Sequence, residues 1–150
     1  MAPTDPCRIR EEEKTFFDEN GYVVIRGFFS ADEIAPLRAA YDALVHEAEE
    51  EDAGRKRGQL IQRSGLATAH ESWRDQPYLQ AIVQAGRALL GDDIDFWYDQ
   101  IIMKPAGNPG STPWHQDAGY WAGDTPRARL ANERGITCWL ALSEVTAQHG

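Results

Sequence analysis

The chain has 150 residues and a formal net charge of −9, from 15 basic and 24 acidic side chains. That length suits one domain, and the negative balance excludes a surface built to grip nucleic acid or an anionic membrane. Hydrophobic residues make up 42% and charged residues 26%, so the chain has the balance of a globular domain with one core.

Two cysteines, Cys7 and Cys138, do not make a disulfide framework and point to a reducing compartment. The opening Met-Ala-Pro-Thr-Asp-Pro has neither the basic start nor the apolar stretch of a leader. No run approaches the roughly 18 apolar residues that span a bilayer. The expectation is a cytoplasmic protein.

Residues 1–8 read as a disordered tail containing proline, which leaves 9–150 as a single domain. Ile9 to Asn20 has a helical pattern, and Asn20-Gly21 stops it because both residues tolerate a left-handed cap. Tyr22 to Ile25 predicts a short β-branched strand. Ser30 with Glu33 three residues on is a capping box. The helix it opens carries Ile34, Leu37, Tyr41, Leu44 and Val45 on one face, with Pro36 expected to bend an early turn. It fades in the acidic stretch Glu47 to Asp52. Gly54 to Gly58 reads as a basic loop and Gln59 to Arg63 as a short strand, while Ser64 to Gln76 has no clear period.

Pro77 opens a helix that runs to Leu90, with Leu79, Ile82, Val83 and Leu89 as its apolar face, and Gly91 ends it. The period then changes. Ile94, Phe96 and Tyr98 alternate with Asp95, Trp97 and Asp99, and Ile101 to Met103 extend this strand. Pro105 to Pro113 is a loop by composition, and Asp124 to Gly135 is another. Between them lies Trp114 to Trp121. Ile136 to Leu142 predicts a second strong strand, and Ser143 to Gly150 turns. Helices come first and strands second, an α+β order rather than a parallel βαβ one.

The chemistry concentrates in His115-Gln116-Asp117. On a strand, residues i and i+2 share a face, so the His115 imidazole and the Asp117 carboxylate can aim at one point. Two histidines and one carboxylate on one face of an octahedron hold iron(II) in non-haem oxygenases, with the opposite positions open. Such a site needs a third ligand from a distant part of the chain. A His-x-Asp triplet by itself reads better as an exposed polar turn. Its context gives it weight: Trp114 precedes it, Tyr120-Trp121 follow, and a strand stands on either side.

Several segments together resemble the phytanoyl-CoA dioxygenase family. They are the run from Phe16 to Ile25 followed by Gly27-Phe28-Phe29-Ser30, then Gln100 to Pro105, Trp114 to Asp117, and Thr137 to Leu142. They occur in the family's order over nearly the whole chain. The resemblance implies a double-stranded β-helix, a cupin-like jelly roll, with N-terminal helices packed on it. It implies iron(II) held by His115, Asp117 and a later histidine, with 2-oxoglutarate as co-substrate. The implied reaction uses O₂ to hydroxylate a small organic substrate while 2-oxoglutarate is decarboxylated to succinate. Asp117 itself speaks for a hydroxylase, since related halogenases carry a small residue there.

By position, Gln100 and Trp139 match residues lining the family's co-substrate site. A Gln amide suits a carboxylate, and Trp139 offers a wall and an N–H donor. Strand packing accounts for Trp139 equally well. Lys104 is a weaker candidate to neutralise a carboxylate, and Tyr120 and Trp121 either line the substrate pocket or pack locally.

The family pattern continues past residue 150 with the distal histidine and a carboxylate-binding arginine. Among the other histidines, His46 reads as solvated on an acidic helix, His70 is open between roles, and His149 falls in a structural turn. The expectation is therefore an incomplete domain, truncated at its C-terminal side. A second reading is a non-catalytic remnant, a structural or interaction domain that self-associates through an open sheet edge. A metal-dependent hydrolase has no support, because neither a nucleophile elbow nor a His-Glu-x-x-His helix occurs. The expected partners are the small-molecule substrate and O₂, with no nucleic acid and no membrane.

Overall fold

A computed structural model describes residues 8–51, 61–69, 71–74, 76–104, 111–117 and 134–146. In chain order these form α1 (Glu11–Asn20), α2 (Ala31–Glu51), β1 (Ile61–Ser64), α3 (Leu66–Ala69), α4 (Glu71–Arg74), α5 (Pro77–Leu90) and β2 (Gln100–Met103). The helices-first order is present. The expected double-stranded β-helix is represented among the described residues by one two-stranded sheet. No helix among them is long and apolar enough to cross a membrane.

Helix α1 starts on three glutamates, Glu11, Glu12 and Glu13, which complement the positive end of the helix dipole. Glu13 folds back onto Arg10, accepting from its backbone N–H at 2.9 Å and its guanidinium at 2.7 Å. Gly21 closes the helix at φ 76°, and its N–H reaches the Phe17 carbonyl at 2.7 Å. The strand expected over Tyr22 to Ile25 does not form. β-branched residues favour an extended chain, but a strand also needs a neighbour, and Tyr22 and Val24 stand exposed.

The Ser30 capping box is present in full. Glu33 accepts from the Ser30 N–H at 2.8 Å and hydroxyl at 2.9 Å, while the Glu33 N–H reaches Ser30 Oγ at 3.3 Å. Arg8 fastens the preceding chain to this cap, donating to the Phe28 carbonyl at 2.5 Å and to Glu33 at 2.6 Å. Its guanidinium also lies 4.9 Å from the centre of the Phe29 ring. Helix α2 then continues through Pro36 to Glu51.

Strands β1 and β2 pair antiparallel, with Ile61 opposite Met103 and Ser64 opposite Gln100. The expected long strand from Ile94 is ladder only at Gln100–Met103. Asp99 explains where it stops. Its carbonyl takes the Gly65 N–H at 2.8 Å, and its carboxylate takes the Ala67 N–H at 3.0 and 3.3 Å. The Gly65 bond carries the register one position further, and the Asp99 carboxylate then caps α3. Helices α3 and α4 occupy the stretch that had no readable period, since four residues are too few to show one.

Helix α5 has the bounds its Pro77 and Gly91 predict. Its buried face is Ala85, Gly86 and Leu89. The core gathers Leu37 of α2, Leu66 of α3 and Trp73 of α4, with Tyr41, Leu44, Tyr78, Ile101, Leu140 and Leu142 packed around them. Ile136 to Leu142 forms no strand, yet its Leu140 and Leu142 still pack against the core.

Candidate metal centre

His115 and Asp117 lie outside any strand, a correction to the expected geometry. They converge nonetheless. His115 Nε2 stands 3.3 Å from Asp117 Oδ1, with both side chains partly exposed. The other ring nitrogen, Nδ1, is 2.8 Å from the Pro113 carbonyl oxygen. That oxygen only accepts, so Nδ1 carries the hydrogen. In a neutral ring Nε2 then bears the lone pair, and it faces a carboxylate oxygen. Two such acceptors at this separation call for a cation between them, either a proton or a metal ion.

The spacing also fits a metal ion. Two ligand atoms about 2.1 Å from one ion and at right angles stand about 3.0 Å apart. A metal-binding histidine usually donates its other ring N–H to a carbonyl or carboxylate, as Nδ1 does here. The second Asp117 oxygen, Oδ2, accepts from the Thr137 hydroxyl at 2.7 Å. Thr137 was not among the residues the sequence singled out. Its signal lay only in its place two residues before Trp139 in a segment already noticed.

Among the described residues, no group of three or more His, Cys, Asp or Glu side chains stands ready to hold a metal ion. His46 lies on α2, and His70 and His149 fall outside the described residues, as do Tyr120 and Trp121. Trp114 is fully exposed, and Lys104 is an exposed residue just after β2.

Gln100 sits on the outer face of β2, opposite Ser64. Its Oε1 accepts from Gln62 Nε2 at 2.7 Å and from the Tyr98 hydroxyl at 2.9 Å. Tyr98 is also 2.9 Å from the Ser64 hydroxyl. One phenolic hydrogen cannot serve both neighbours, so Ser64 donates to Tyr98 and Tyr98 donates to Gln100. Both bonds fall on Oε1, and Gln100 itself is exposed. Gln62 and Ser64 are the sequence-distant supports that no spacing rule revealed, while Tyr98 is a near neighbour on the same segment. Trp139 is 75% exposed, two residues from the Thr137 link to Asp117.

A family model described as phytanoyl-CoA dioxygenase (PhyH) matches residues 17–150. An ectoine dioxygenase of Sphingopyxis alaskensis is 25% identical over 153 aligned residues, covering 98% of this chain and 49% of that protein. An ectoine dioxygenase of Streptomyces avermitilis is 23% identical over 150, covering 95% of this chain and 49% of the other. The chain thus spans about half the length of the curated relatives it matches. No solved structure matches it. His115, Asp117, Gln100 and Trp139 all fall within the matched residues, and the chain belongs to the phytanoyl-CoA dioxygenase family.

Proposed function

We propose that the chain supplies His115 and Asp117 as iron(II) ligands of a 2-oxoglutarate-dependent dioxygenase. Its reaction is hydroxylation of a small organic substrate, with decarboxylation of 2-oxoglutarate to succinate. The carrying observation is the His115–Asp117 pair at 3.3 Å, with Nδ1 tied to Pro113, in a chain of this family. Iron bound there supplies the chelation of 2-oxoglutarate and the activation of O₂. The protein's own share is binding and orientation. Gln100 offers its N–H pair to a carboxylate, and the Trp139 indole offers a wall and one more donor. The work is cytoplasmic, in keeping with so few cysteines.

Anaerobic titration of the chain with iron(II) and 2-oxoglutarate tests this. The expected result is the weak visible charge-transfer band of the chelate, lost in Asp117→Ala and in His115→Ala. A band unchanged in those variants overturns the ligand assignment.

A second reading is a non-catalytic structural or interaction domain. Exposed Trp114, Ile102, Trp139 and Val145 favour it, as does the two-stranded sheet, whose outer edges are unpaired among the described residues. An absent band in the intact chain, with concentration-dependent association in sedimentation, selects this reading.

A further inference from the structure

We infer that Thr137 is a positioning residue for the metal centre, one that makes Asp117 a ligand through a single oxygen. The inference rests on the iron-binding reading above and goes beyond it, because Thr137 touches no metal ion itself.

The argument starts from the two Asp117 oxygens. A carboxylate whose oxygens are both free can turn about its bond to the chain and can grip an ion with one oxygen or both. Here Oδ2 accepts the Thr137 hydroxyl at 2.7 Å, across 20 residues of sequence. That leaves Oδ1 alone facing His115 Nε2 at 3.3 Å. A hydrogen bond to an ionised acceptor is short and directional, so it fixes the plane of the carboxylate as well as its place. His115 is held by the same logic, its Nδ1 against the Pro113 carbonyl. Each of the two ligands therefore has one partner outside the metal that sets its orientation, and removal of such partners typically weakens metal binding 10–100-fold. The two partners differ in origin. Pro113 belongs to the same short segment as His115, whereas Thr137 reaches in from residues 134–146. Thr137 is exposed, so the core does not require its hydroxyl.

The test is metal affinity, measured without turnover. Iron(II) alone is titrated anaerobically into the full chain, and cobalt(II) is added in parallel as a visible reporter of coordination. Thr137→Val is expected to bind iron(II) about 10–100-fold more weakly and to change the cobalt spectrum, as the freed carboxylate rotates or takes both oxygens to the ion. Thr137→Ser keeps the hydroxyl and is expected to restore both readouts. The metal-free unfolding midpoint of Thr137→Val should stay near that of the intact chain, which separates positioning from a purely structural role. If Thr137→Val keeps both the affinity and the spectrum while His115→Ala loses them, the inference falls and the iron reading stands. If the intact chain takes up neither metal, both fall together.

Discussion

The Glu33 carboxylate has Arg8 on one oxygen and the Ser30 amide and hydroxyl on the other. The Arg8 hydrogen bond above all, and then the two Ser30 bonds, bring its pKa from the ordinary 4.5 down to about 2. A folded-state pKa below the unfolded one contributes stability that is complete above the unfolded value and is lost as pH falls through the folded one. The Glu33 contribution should therefore persist above about pH 4.5 and disappear toward pH 2. Glu33→Gln should lower the unfolding midpoint at neutral pH, and its deficit against the intact chain should close on acidification across that window. Ser30→Ala removes the cap hydroxyl and should cost about 1 kcal/mol in urea unfolding. This cap was legible in the sequence because its donors and acceptors lie three residues apart. The Arg8 bond was not, since it spans 25 residues. The same division holds at the proposed metal centre. His115 and Asp117 could be read from a motif, whereas Thr137 could be found only by folding the chain.

Helix α5 follows its sequence at both ends, because Pro77 and Gly91 act locally. The strands follow theirs poorly. The alternation from Ile94 onward is real, but β1 is only four residues long, and Asp99, just before β2, puts its carboxylate on the cap of α3. Propensity announces that a segment can extend, and only a partner makes it a strand. Gly86 gives this scale a direct test. It lies buried inside α5, and a Cβ there would meet Ile94 Cγ2 at 3.6 Å and Ile136 Cγ2 at 3.9 Å, which is ordinary contact. Gly86→Ala should thus stabilise the protein by about 0.5–1 kcal/mol, through the helix interior it rigidifies. A loss of stability in urea unfolding would show that the helix packs closer to those isoleucines than described.

For the whole molecule, the order of the resembling segments identified the family, yet their assembly in space was not legible. The core draws one large side chain each from α2, α3 and α4, and these helices are joined by contacts no periodicity describes. Leu37 and Leu66 are each 3% exposed and Trp73 is 4% exposed, with the Trp73 ring edge-on to Tyr78 at 6.4 Å. Leu37→Ala should cost about 2–5 kcal/mol, a large part of the 5–15 kcal/mol that typically separates a domain from its unfolded state. A fall in both the urea midpoint and the near-ultraviolet signal of Trp73 would confirm this cluster as the keystone. The Thr137–Asp117 bond has a wider consequence. It closes a ring of chain between the two segments it joins, and on the proposed iron site the entropy of closing that ring is coupled to metal binding. On the proposed iron site, a change in length between residues 117 and 137 is expected to alter metal affinity with both ligands kept.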